Sequence, residues 1–139
     1  MDIKYYTNNV IRTVELMELY GQLGWTGYTD HPEKMAKILQ GSLWYMSAYD
    51  GNKLVGLIRV VGDGCSIVYV QDILVLKDYQ RKGIGRKLME SMLAGFHNIR
   101  QTVLITDSTE KTRLFYQSMG MRQVGDTGGL CYVRYNRDV

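Results

Sequence analysis

Six consecutive residues, Gln80-Arg81-Lys82-Gly83-Ile84-Gly85, set two glycines one residue apart inside a basic run that Arg86 and Lys87 continue. Such a run suits anion binding. Backbone N–H groups left over at a helix start can donate to an anion, glycine lets a ligand approach the main chain closely, and arginine and lysine add charge. A phosphate or pyrophosphate fits that description. Spacing excludes two familiar phosphate loops: GxGxxG fails because Leu88 stands where the third glycine belongs, and GxxxxGK[ST] occurs nowhere. The same four cations could also form nothing more than a solvated helix face.

Other reactive side chains are scattered. Cys65 and Cys131 lack CxxC or zinc-ligand spacing and read as buried or inert thiols, and His31 and His97 have no partner ligands nearby, so no metal site is expected. Gln71 and Asp72 are the polar interruption of an otherwise apolar run, where an acidic group serves as a structural hydrogen-bond acceptor more often than as a base.

These residues need a scaffold, and the pattern supplies one. Ile3 to Thr7 reads as an edge strand, and Ile11, Val14, Met17 and Tyr20 recur at helical spacing up to Gly21. Trp25 to His31 reads as a loop, and Asp30-His31-Pro32-Glu33 opens a second short helix that ends at Gly41. Leu43 to Tyr49 and Lys53 to Val61 flank Asp50-Gly51-Asn52 as a hairpin. Ser66 to Leu76 then reads as a central strand covered on both faces. Leu88, Met92 and Phe96 mark a long helix from Ile84, Thr102 to Thr106 a short strand, and Thr109 to Met119 a helix stopped by Gly120. Arg122 to Tyr135 reads as a closing hairpin around Gly128-Gly129. The sum is an α+β domain of sandwich type, a mixed and mostly antiparallel central sheet with helices on both faces.

Length and composition agree. A chain of 139 residues is expected to be one domain, 1–139, and 45% hydrophobic against 22% charged residues suits a globular core. A formal charge of +3 is too mild for a nucleic-acid partner. No run approaches the ~20 apolar residues of a membrane span, and the N-terminus lacks a secretory pattern, so no membrane and a cytoplasmic location are expected.

The Gln-Arg-Lys-Gly-Ile-Gly run resembles the Q/R-x-x-G-x-G/A acyl-CoA loop of the GNAT N-acetyltransferase superfamily. Downstream, Thr109 to Met121 is similar to the family's N-x-x-A-x-x-x-Y-x-x-x-G-F helix, with Tyr116 and Gly120 in register and Thr109, Thr112 and Met121 replacing the usual Asn, Ala and Phe. The element order also resembles the GNAT fold over nearly the whole chain. Within the superfamily, the chain looks most like small bacterial acetyltransferases and serotonin N-acetyltransferase-like members.

The resemblance implies direct transfer of acetyl from acetyl-CoA to the primary amine of a small molecule, with no metal. It implies main-chain donors from a splayed strand at Ile73, Leu74 and Val75, a pyrophosphate held by Gln80, Arg81, Lys82, Gly83, Ile84, Gly85 and Arg86, and further coenzyme contacts at Thr109, Thr112 and Phe115. Tyr116 would be the general acid for the departing thiolate, although Phe115, Tyr116 and Met119 also make an ordinary packing face. Strand alternation sets Tyr69, Gln71 and Ile73 on the face where some relatives carry a base. With Trp25, Tyr28 and Asp30 of the first interhelical loop, Tyr69 and Gln71 are the candidate acceptor contacts. The alternatives are a catalytically silent acyl-CoA-binding or sensing module and a protein or peptide N-acetyltransferase. A homodimer is left open.

Overall fold

Glycine turns organise the sheet. Gly51, with φ 59°, reverses the chain between β2 (Trp44–Asp50) and β3 (Lys53–Gly62), and Gly62 and Gly64, with φ 144° and 72°, reverse it into β4 (Ile67–Val75). Asp63 stabilises this second turn, its carboxylate accepting from the N–H groups of Cys65, Ser66 and Ile67. With β1 (Ile3–Thr7) on β2 and β5 (Gln101–Leu104) on β4, the sheet runs β1-β2-β3-β4-β5, antiparallel except for the parallel β4–β5 pair. This computed structural model describes residues 1–137 and 139, which divide into two compact units, 1–104 and 105–139.

In the first unit β3 is buried from Leu54 to Val60 because helices cover both of its faces. Tyr20 of α1 (Thr13–Gln22) reaches Asp72 from one side. On the other side α4 (Ile84–Gly95) buries Ile84, Leu88, Met89 and Met92, and it seats closely because Gly56 lies beneath it. A Cβ at Gly56 would stand 3.3 Å from Ile84 Cγ2. Each buried α4 side chain contributes about 1.5–3 kcal/mol.

Strand β4 carries an irregularity. Arg59 pairs with Asp72 but Val60 pairs with Val70, so Gln71 is an extra residue, a β-bulge. The bulge shifts the phase of the strand. Val70 lies with Val60 on the α4 face, whereas Asp72 and Leu74 lie with Arg59 and Leu57 on the α1 face. Gln71 therefore does not share a face with Ile73, as simple alternation would have it. The strand is also not covered on both faces throughout: Gln71 is exposed, and Ile67, Tyr69, Ile73 and Val75 are only half-buried.

Two further expectations are revised in this unit. Trp25 to His31 is not a plain loop, because Thr26–Thr29 closes one helical turn, α2, before α3 (Pro32–Met35). The helix expected to run to Gly41 stops at Met35 and continues as turns.

In the second unit α5 (Glu110–Gln117) starts at Thr109, whose hydroxyl accepts from Thr112 N–H at 3.3 Å. It ends through Gly120 at φ 82°, with Met121 N–H returned to Tyr116 C=O. No hairpin forms from Arg122 to Tyr135. Val124–Thr127 makes one tight helical turn, and the described residues beyond it belong to no strand. A β-prone run becomes a strand only where a second backbone answers its N–H and C=O groups, and among the described residues none does. Both thiols are exposed and unpaired by disulfide, so Cys65 and Cys131 are not buried.

The β3–β4 turn gives a sharp test. A Cβ at Gly62 would lie 2.3 Å from Ile67 O, while one at Gly64 meets only the Leu43 side chain at 3.5 Å. Urea unfolding should show Gly62→Ala losing roughly 2–4 kcal/mol and Gly64→Ala about 1 kcal/mol.

Candidate active site

The parallel ladder between β4 and β5 covers only Ile67 to Val70. Beyond it, among the described strands, β4 is paired with β3 alone. Leu76 N–H bonds to Val55 O across β3, so by alternation Leu74 faces β3 as well, while Ile73 and Val75 turn their N–H and C=O groups away from it. Among the described residues these two outward-facing N–H groups have no strand partner. Leu74, expected beside them as a donor, is instead held within the β3 ladder. On the open edge Val75 O accepts from Gln80 Nε2 at 2.9 Å.

That bond also anchors the basic turn. Tyr79, in the helical turn Lys77–Tyr79 that follows β4, donates its hydroxyl to Asp50 at 2.6 Å. This bond to Asp50, followed by burial, raises the Tyr79 phenol pKa. Between these anchors and α4, Arg81 takes φ 63° and Gly83 φ 86°, both left-handed. Gly83 is the N-cap of α4 and no side chain caps it. The first closing bond of the helix is Lys87 N–H to Gly83 O, so the N–H groups of Ile84 and Gly85 precede the helical ladder. A Cβ on Gly83 would meet nothing within 4 Å, which leaves open space in front of the turn. An anion site with basic side chains at its rim is the arrangement this geometry supports.

On the α1 face, four polar side chains converge inside the sheet. Asp72 Oδ2 accepts from Tyr20 Oη at 2.8 Å and Arg59 Nε at 2.6 Å, and Oδ1 accepts from Tyr28 Oη at 2.7 Å. Asp72 therefore has both oxygens engaged and serves as a structural acceptor. Arg59 Nη2 and Gln71 Nε2 also reach the Tyr28 hydroxyl, at 3.2 and 3.3 Å. Burial, then the Asp72 charge, pushes the phenols of Tyr20 and Tyr28 up. For Arg59 burial acts to lower the pKa, but Asp72 outweighs it and the guanidinium is held charged.

Among the expected acceptor contacts, Trp25, Tyr28 and Gln71 come together. Trp25 and Tyr28 stack at 6.2 Å, Tyr20 packs against Tyr28 at 4.7 Å, and the Arg59 guanidinium lies 5.8 Å from the centre of the Tyr28 ring. Asp30 instead sits exposed at the C-cap of α2, and Tyr69 is half-buried on β4. The pattern reading missed Tyr20 and Arg59. A signal for Arg59 was present: one charge in Leu57-Ile58-Arg59-Val60 and an opposite one in Val70-Gln71-Asp72-Ile73, on adjacent apolar strands, calls for pairing.

In the second unit Tyr116 is half-buried on α5. Burial raises its phenol, a hydrogen bond involving Thr106 opposes this, and Asp107 adds to the rise. The Thr109 and Thr112 hydroxyls bond to each other at 3.0 Å, and Thr109 also donates to Asp107 at 2.7 Å, so both serve the helix start. Phe115 packs edge-on to Tyr116 at 5.0 Å. Among the described residues no group of three His, Cys, Asp or Glu could hold a metal ion, and no helix is long and apolar enough to cross a membrane.

A mixed five-stranded sheet with helices on it, β4 leading through a glycine turn into α4, is the architecture of the acyl-CoA N-acyltransferase class. The acetyltransferase (GNAT) domain model matches residues 20–136. The chain belongs to the GNAT acetyltransferase family. A GNAT-family acetyltransferase of Streptococcus pneumoniae is 38% identical, with a TM-score of 0.87 over 99% of this chain and 100% of that one. An uncharacterized ycf52-like N-acetyltransferase of Prochlorococcus marinus is 29% identical over 117 residues, 79% of this chain and 64% of that protein. The chain spans 44% and 64% of the two curated relatives it matches. An aminoglycoside N-acetyltransferase solved in complex with CoA shares the fold at 18% identity, with a TM-score of 0.68 over 99% of this chain and 96% of that one.

Removing the shared acceptor should be costly. Asp72→Ala leaves the buried Arg59 unpaired and is expected to lose roughly 3–5 kcal/mol in urea unfolding, whereas exposed Gln71→Ala should stay within about 0.5 kcal/mol. Folding raises the phenols of Tyr20 and Tyr28, so their stabilising contribution is complete below the ordinary value of 10.0 and falls as pH rises through the raised values. Phenolate absorbance should therefore show tyrosines ionising above that value, one fewer in Tyr20→Phe.

Proposed function

We propose that this chain, acting as a single GNAT domain over residues 1–139, transfers acetyl from acetyl-CoA to the primary amine of a small molecule. The observation that carries the reading is the open edge of β4: the N–H groups of Ile73 and Val75 face outward, and the same strand leads directly into the uncapped start of α4. An extended acyl-pantetheine chain suits such an edge as a substitute strand. Its pyrophosphate suits Gly83, Ile84 and Gly85, with Arg81, Lys82 and Arg86 supplying charge.

Acetyl-CoA supplies the acyl group as a thioester. The amine nitrogen bonds to the carbonyl carbon and the carbon–sulfur bond breaks. Outward N–H groups on β4 stabilise the negative charge that gathers on the carbonyl oxygen, and they need no reorganisation because the strand fixes them. Tyr116 gives the departing thiolate its proton, since its phenol carries one at neutral pH; burial, which raises that phenol, leaves the protonated form in place. Asp72 is not the base, since three donors occupy it; the amine proton leaves through water. Thr109 and Thr112 contribute by holding α5, with Phe115 as an apolar coenzyme contact. The reading includes a cytoplasmic protein and a homodimer, in which a second copy covers the exposed Leu130, Tyr132 and Tyr135.

Calorimetric titration with acetyl-CoA tests the loop. Gly83→Trp must place an L side chain at φ 86°, and it should weaken binding at least about tenfold. Lys82→Ala should cost only about two- to threefold, because a rim charge is screened. Tyr116→Phe should bind acetyl-CoA normally but slow thiol release about 10²-fold or more. Acetyl-CoA binding with no transfer to any of a broad panel of amines would make the chain a binding or sensing module instead. Transfer to peptide amines alone would make it a peptide acetyltransferase.

A further inference from the structure

The polarity of the hydrogen bonds around Tyr28 is fixed by chemistry. Asp72, paired with Arg59, has acceptor sites only, and Arg59 has donors only. The single Tyr28 proton must therefore go to Asp72 Oδ1, at 2.7 Å, and the phenol oxygen can only accept from its other neighbours. Gln71 is one of those neighbours, at 3.3 Å, so its amide must turn its NH2 toward Tyr28. Its Oε1 then points the other way. That oxygen has no partner among the described residues, and it belongs to an exposed side chain on the bulge, two residues before the outward-facing Ile73.

We infer that Gln71 Oε1 is the acceptor-binding group of the site, taking a hydrogen bond from the N–H of the incoming amine, with Tyr28, Asp72 and Arg59 as positioning residues that lock the amide in that orientation. The inference rests on the proposed amine acetyl transfer. An amide oxygen cannot take the proton, so Gln71 orients the nucleophile and leaves its lone pair free for the carbonyl carbon. The bulge is what makes this possible. It turns Gln71 toward Tyr28 alongside Asp72, where an unbroken strand would direct the two side chains to opposite faces.

The test is steady-state kinetics on the purified chain with acetyl-CoA and the best primary amine from a panel, beside acetyl-CoA titration and thermal unfolding. Gln71→Leu should raise the KM for the amine about tenfold or more, leave the KM and binding of acetyl-CoA unchanged, and leave the melting temperature within a few degrees. Tyr28→Phe frees the amide to rotate and should raise the amine KM by a smaller factor, about threefold. Transfer that proceeds with an unchanged amine KM in Gln71→Leu overturns the inference and leaves the proposed function standing. Equal losses for amine and acetyl-CoA, or a loss that tracks melting, overturn it in favour of a packing role. If the unmodified chain binds acetyl-CoA but acetylates no amine, or binds none at all, the functional reading fails and the inference falls with it.

Discussion

Burying a carboxylate costs several kcal/mol unless its lone pairs are answered, and at Asp72 the answers come from three elements. Tyr20 arrives from α1, Tyr28 from α2 and Arg59 from β3. Arg59 cannot withdraw without stranding a charge in the sheet, and neither tyrosine can without leaving a carboxylate oxygen one donor short. The first helices are thereby tied to the centre of β4, and the bulge at Gln71 is held between the strand and the α2 turn. The network is fully satisfied: no buried side-chain nitrogen or oxygen among the described residues lacks a partner.

The opposite edge of the same strand is left open. β5 accompanies β4 for four residues and then stops, so a strand braced on one side by β3 offers, among the described residues, donors without a strand partner on the other. Rigidity and availability usually compete, since free backbone groups tend to be mobile or to find partners. Here both coexist because bracing and exposure lie on different sides of one backbone. The turn after it repeats the arrangement, with Tyr79 and Gln80 fixing the chain while Gly83 leaves the helix start uncapped.

Much of this was legible in the residues and some was not. The turn from Gln80 to Gly85 could be read because glycine spacing and charge are local. The hairpin at Gly51, the covered β3 and the long α4 could be read from period and turn chemistry. The bulge could not, because Val70, Gln71 and Asp72 look like ordinary alternation until the register against Arg59 and Val60 is known. The open edge depends on where β5 ends, which nothing in β4 encodes. The run from Leu130 to Tyr135 has the composition of a strand, yet pairing is a property of two backbones and no described segment supplies the second.

The proposed acetyl transfer depends on the outward N–H groups of Ile73 and Val75. Backbone amide NMR with hydrogen exchange, comparing the free chain with the acetyl-CoA-saturated chain, reads those two positions directly. Both amides should exchange readily in the free chain while Leu74 is protected, and both should shift and gain protection when acetyl-CoA binds. Saturation with acetyl-CoA that leaves Ile73 and Val75 unshifted and still exchanging would contradict it.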